Sequence, residues 1–297
     1  MTGLTYEQSV VMGLLQGVTE LFPVSSLGHS LLVPAWLGGS WKDLVTQSAQ
    51  RGHTPFMAFV VALHVATAVA LIAYYWRDWV AVVSGFVDSI RHRRITGADA
   101  KMAWLLIVGT IPVGIVGLVA EKPLRTLFAS PLAAAVFLTV NGGILLGAEL
   151  LKRRSQSAPA GRHRHAGDDG SDITELGLPR GTAVGASQIL ALFPGISRSG
   201  VTISAGIVAG LDHERAAKFA FMLATPVILA AGALKIPELF GPDAHGMGGQ
   251  VVVGAVCAFV AALASTAFLA KFFHTRTLYP FVAYCLIAGI ASIIRFA

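Results

Sequence analysis

Apolar positions come in runs of two lengths along this chain. Six runs, residues 56–76, 103–120, 132–151, 219–239, 251–270 and 278–294, are long enough to cross a bilayer, which takes roughly 20 apolar residues in a helix. Four others, residues 10–22, 31–37, 182–193 and 201–211, are too short. Runs of about 10–14 residues read as re-entrant or interfacial pieces. The short runs pair up across two similar polar breaks, Leu21-Phe22-Pro23-Val24-Ser25-Ser26-Leu27-Gly28-His29 and Leu192-Phe193-Pro194-Gly195-Ile196-Ser197-Arg198-Ser199-Gly200. Each break predicts a hairpin of two half-helices with a tip at the proline. A broken, repeated pair of this kind is the best sequence pointer to a membrane protein's functional site.

The order of runs predicts an all-α integral membrane protein built as an inverted repeat. Residues 1–151 hold a re-entrant hairpin at about 8–37 and three spans. Residues 152–180, rich in Gly, Ser, Arg and His, read as a polar loop. Residues 181–297 repeat the plan, with a hairpin at about 182–211 and three more spans. Three crossings per half turn the second copy upside down.

Composition agrees. The 297 residues are 55% hydrophobic and only 13% charged, where a soluble domain carries about 25% charged residues. No cleavable signal peptide is expected, because the start lacks a basic region and Glu7 precedes the first run. Cys257 and Cys285 lie in apolar stretches without metal-ligand spacing and read as packing residues. The net charge of +6 reports topology here, not nucleic acid. Arg77, Arg91, Arg93, Arg94 and Lys101 fall in the loop after the first span. Lys152, Arg153, Arg154, Arg162, Arg164 and Arg180 fall in the loop after the third, and Lys271 and Arg276 in the loop after the fifth. These loops share one side, which the positive-inside rule makes cytoplasmic. The opposite side has only Lys42, Arg51, Lys122 and Arg125. The first hairpin then opens outward, the second enters from the cytoplasm, and their tips meet near the midplane.

Beyond each tip a half-helix begins with its N-terminus pointing into the protein, and free N–H groups with the positive helix end make an anion site there. Ser25 and Ser26 in one copy, and Ser197 and Ser199 in the other, stand where helix caps stand. Capping alone would explain them singly. Gln16 and Glu20 are four apart and share a helix face. A carboxylate at membrane depth marks function by default. Glu20 can ligate a divalent cation or act as a base, or it can simply pair with Arg198. His29 can move a proton or attack phosphorus, although a lone histidine is more often structural. Arg198 offers a fork matched to phosphate oxygens, and Thr202 a hydroxyl one turn away. His64 sits among apolar neighbours and reads as mostly structural. Asn141-Gly142-Gly143 reads as close helix packing, and Arg162-His163-Arg164-His165 as a solvated loop.

Gln16-Gly17-Val18-Thr19-Glu20-Leu21-Phe22-Pro23-Val24-Ser25-Ser26-Leu27-Gly28-His29, with Pro194-Gly195-Ile196-Ser197-Arg198-Ser199-Gly200-Val201-Thr202, closely resembles the undecaprenyl-diphosphate phosphatase family, known for bacitracin resistance. The resemblance runs the length of the chain. It departs at Gln16, where well-known members have glutamate, and this shifts weight to Glu20. The resemblance implies Glu20 as metal ligand or base, Ser26 and His29 as the reacting pair with the nucleophile open between them, and a diphosphate clamp of Arg198, Ser197 and Thr202. Ser25, Ser199 and Gln16 would line the same binding site. It also implies a divalent cation, Mg²⁺ or Ca²⁺, and a C55 polyprenyl diphosphate in the bilayer as substrate. The expected location is the bacterial cytoplasmic membrane, with the site facing outward. A homodimer is left open, and a polyprenyl-phosphate flippase is the alternative function.

Overall fold

The computed structural model describes residues 4–42, 55–124, 130–157, 173–236 and 247–297. The middle of the polar loop, with Arg162 to His165, lies outside the described residues, as do Arg51 and Arg125. The described residues are helical, without strands. In the first half, α1 (Tyr6–Thr19) and α2 (Ser26–Leu37) form the broken pair. They are followed by α3 (Pro55–Tyr74), α4 (Trp76–His92), α5 (Ala98–Leu124) and α6 (Pro131–Ser157). In the second, α7 (Gly177–Ala186) tightens into the 3-10 turn Ser187–Leu192 before the tip, and α8 (Arg198–Val208) leaves it. Three long helices follow: α9 (His213–Lys235), α10 (Gly248–Thr275) and α11 (Tyr279–Phe296).

Five helices, α5, α6, α9, α10 and α11, are long and apolar enough to cross a membrane, with mean hydropathy between 1.6 and 2.3. The pair α3 and α4 supplies a sixth apolar stretch, bent by 86° at Tyr75. The chain is therefore a multi-pass membrane protein. α1, α2, α7 and α8, of 10 to 14 residues, stay short.

Residues 77–94, expected as a loop, are mostly helix. Arginines draw attention there, but apolar residues recur at helical spacing. Val82, with Phe86 and Trp79 beside it, faces the body of the protein. Val80, Val83, Val87 and Ile90 form a second stripe, each more than half exposed. Phe86 meets Trp104 of α5 at 5.6 Å, and Trp104 Nε1 donates to Ser89 Oγ at 3.0 Å. Such a two-sided apolar helix suits the membrane–water boundary.

The remaining helices lock through small residues, as bilayer packing favours. A Cβ on Gly13 of α1 would stand 2.3 Å from the Gly254 carbonyl oxygen of α10, so no larger residue fits. At the far end of α6, Glu149 is buried and accepts from His213 Nε2 at 2.6 Å and from the Leu278 N–H at 2.7 Å. One carboxylate thus ties the starts of α9 and α11 to the end of α6.

Candidate active site

The two tips touch. A Cβ on Gly28, in the first turn of α2, would come within 2.9 Å of Gly195 Cα at the other tip. Gly195 has φ +107, and its own Cβ would strike the Ala134 carbonyl of α6. Glycine is the residue for such a conformation and approach. Asn141 of α6 then joins both tips: Nδ2 donates to the Pro23 carbonyl at 2.9 Å, and Oδ1 accepts from the Ser197 N–H at 3.0 Å.

Both half-helices start alike. Ser25 caps α2 by accepting from the Gly28 N–H at 3.2 Å, and Ser197 caps α8 by accepting from the Gly200 N–H at 3.1 Å. Ser25 reaches its place with φ 72, a left-handed conformation that costs a non-glycine residue energy. The first helical residues are consequently Ser26 and Arg198, and both turn to Glu20.

Glu20 ends α1 and is the hub. Its Oε2 accepts from Ser26 Oγ at 2.5 Å and from Gln16 Nε2 at 3.0 Å, while Arg198 Nη2 pairs with Oε1. His64 of α3 brings Nε2 to 3.3 Å from Oε2. The Glu20–Arg198 pair is therefore real, and it is part of a larger cluster. Nη1 of Arg198 donates to the Ala224 carbonyl at 3.3 Å. A guanidinium has five N–H donors, so others remain for an anion. Taking charges out of water is costly unless they are paired and hydrogen-bonded, and this cluster meets both conditions.

The other expected residues lie close by with different partners. Ser199 Oγ lies 3.0 Å from Ser197 Oγ and 3.3 Å from the Phe22 carbonyl, stitching one tip to the other. Thr202 donates to the Arg198 carbonyl at 2.8 Å. His29 engages both ring nitrogens: Nδ1 with the Ser25 carbonyl at 2.7 Å, and Nε2 with the Tyr284 hydroxyl at 2.6 Å. A carbonyl only accepts, so Nδ1 carries the proton and Nε2 accepts from Tyr284. Ser26 bonds to Glu20, not to His29.

Sequence reasoning passed over three residues. His64 was read as structural because nothing local sets it apart. Asn141 was read as helix packing, yet a buried amide at bilayer depth is itself a signal of a cross-link. Gly142 beside it does pack as read, with its Cβ position 3.0 Å from Leu286. Tyr284 had no sequence signal.

The family model for bacitracin resistance protein BacA matches residues 9–291. The chain is 53% identical to undecaprenyl-diphosphatase of Mycolicibacterium paratuberculosis, over 99% of this chain and 98% of the relative. It is 52% identical to undecaprenyl-diphosphatase of Mycobacterium avium at the same coverage. It is 41% identical to undecaprenyl-diphosphatase 2 of Chromobacterium violaceum over 97% of each. A match along nearly the whole chain, with both tips inside it, assigns this protein to the bacitracin resistance protein BacA family.

Proposed function

We propose that the chain is an integral membrane phosphatase that hydrolyses undecaprenyl diphosphate to undecaprenyl phosphate and inorganic phosphate. It thereby recycles the lipid carrier of peptidoglycan synthesis and confers resistance to bacitracin. One observation carries the reading: the Ser26 hydroxyl sits 2.5 Å from one oxygen of Glu20 while Arg198 holds the other. Nucleophile, base and anion-binding group thus share one buried cluster at two helix N-termini. A flippase needs the anion site but has no use for a hydroxyl bonded to a carboxylate.

In the proposed reaction Ser26 Oγ attacks the terminal phosphorus and its proton passes to Glu20 Oε2. Glu20 hands that proton to the bridging oxygen as the bond from phosphorus to it breaks, and the polyprenyl monophosphate leaves. Water then attacks the phosphoserine, giving a proton to Glu20, which passes it to Ser26 Oγ as the bond from phosphorus to that oxygen breaks, and phosphate departs. Arg198 and the free N–H groups that begin both half-helices, with the Ser197 and Ser199 hydroxyls, offset the charge that develops on phosphate oxygens. Thr202 joins them if its hydroxyl turns from the Arg198 carbonyl. His29, bonded to the Ser25 carbonyl, positions the peptide that carries Ser26. All these groups come from one chain, so the reaction does not require a dimer.

The implied cation, Mg²⁺ or Ca²⁺, finds oxygen donors of the kind such ions take. Glu20 supplies Oε2, and Gln16 supplies Oε1, a buried atom without a hydrogen-bond partner in the described structure. Bound there, the cation would neutralise diphosphate charge. The tandem order of broken pair and three long helices supports an inverted repeat, and the basic loops support a site that opens outward from the cytoplasmic membrane.

The test is phosphate release from a polyprenyl diphosphate by the detergent-solubilised protein, where there are no two sides. Turnover that Ser26→Ala abolishes supports the phosphatase. Binding without release would return the reading to a carrier.

A further inference from the structure

His29 and His64 differ in one respect. Each gives Nδ1–H to a carbonyl of its own helix turn, Ser25 for His29 and Val60 for His64, the latter at 2.8 Å. His29 then spends Nε2 on Tyr284. His64 keeps Nε2 for Glu20: with Nδ1–H given to Val60, that nitrogen faces a carboxylate oxygen at 3.3 Å. Two acceptor atoms set face to face call for a positive centre between them, either a second proton on the ring or a cation.

A third lone pair belongs to the same spot. Gln16 is 1% exposed, and its Nε2 donates to the same Oε2. Its Oε1 is buried and unpartnered among the described residues, and a buried acceptor in that state needs an explanation. Turning the amide over would bring Oε1 to Oε2, which is favourable only with a cation present. Metal-bound histidines characteristically donate their other ring N–H to a backbone carbonyl or carboxylate, as His64 does to Val60. Ligand bonds of about 2.0–2.2 Å put neighbouring donor atoms about 3 Å apart in an octahedral set and about 3.4 Å apart in a tetrahedral one, which brackets the separation of Nε2 and Oε2.

We propose that His64 Nε2 is a nitrogen ligand of the divalent cation in this chain, completing a set with Glu20 Oε2 and Gln16 Oε1. An imidazole in the set changes which ion is favoured. Ca²⁺ takes oxygen ligands and Mg²⁺ keeps its waters, whereas imidazole suits first-row transition ions, Zn²⁺ with higher affinity than Mn²⁺. The chain therefore selects these ions over Ca²⁺. His64 thus makes up for the missing carboxylate at Gln16 with a neutral donor. The inference rests on the cation of the proposed reaction, yet it is readable without lipid or turnover, so failure of the phosphatase reading leaves it standing.

The full chain in detergent, titrated with Mn²⁺ alone, tests this by electron paramagnetic resonance. Expected are a Mn²⁺ site that Ca²⁺ displaces poorly and electron-spin-echo modulation from an imidazole nitrogen. His64→Gln should lose that modulation and weaken Mn²⁺ binding by about tenfold or more, and His29→Gln should keep both. The wild-type spectrum judges the proposal even if a variant misfolds. Wild-type Mn²⁺ without nitrogen modulation overturns it, and so does His64→Gln binding Mn²⁺ as tightly as wild type. Either result would leave His64 as a charged partner of Glu20 only.

Discussion

Ser26 and Arg198 hold the same position in their two half-helices, directly after the capping serine, and bind opposite oxygens of one carboxylate. The chain uses one local design twice and puts a different group at this position each time: a hydroxyl on one tip, a guanidinium on the other.

If Ser26 is the nucleophile, Ser26→Ala should lose turnover while still binding diphosphate, because Arg198 and the helix N–H groups remain. Acid-quenched wild type should carry phosphate on serine. A phosphoramidate on His29 would exchange the roles, and no adduct at all would make water the attacking group.

Arg198→Lys should turn over poorly despite keeping the charge. An ammonium cannot replace a fork that spans Glu20 and Ala224 and still has N–H groups for a phosphate. Loss of one donor to developing charge costs ~10²–10³ in rate. Near-normal kcat in this variant would show that the fork geometry is irrelevant.

Asn141→Leu removes both bonds that join the tips and leaves the Pro23 carbonyl and the Ser197 N–H without their partner. Each buried group left unsatisfied costs about 1–3 kcal/mol. Thermal unfolding should move down, and kcat should fall although Asn141 touches none of the reacting groups. An unchanged kcat would mean that the tips hold their spacing without it.

Glu149→Ala should lower the unfolding temperature while leaving KM unaltered in the folded fraction. Its two partners, His213 and the Leu278 N–H, belong to the bundle's far end. A raised KM would tie that end to substrate binding.

Orientation is read by labelling a chain whose Cys257 and Cys285 have been replaced. Trp41→Cys should react with an impermeant reagent in intact cells, and Thr96→Cys should not. The reverse pattern would turn the protein over in the membrane.

Much of this was legible in the sequence because it was local. Apolar run length separated spans from half-helices, and Pro23, Pro194 and the serines marked tips and caps. The four-residue spacing put Gln16 with Glu20. What escaped was set by tertiary approach. Ser26 and His29 are three apart, yet helix geometry sends one to Glu20 and the other to Tyr284. His64 lies 44 residues from Glu20, a relation that only packing of α3 on α1 creates. α4 escaped for another reason: its arginines were counted for topology, and its valines were not read for period.

The Glu20–Arg198 pair spans 178 residues of chain. During synthesis the first hairpin must therefore wait, with its carboxylate lacking its cationic partner, until more than half of the protein has been made. A fragment ending before the second tip holds Ser26 and Glu20 but lacks the guanidinium that completes the cluster. The chemistry of the first hairpin waits on the making of the second.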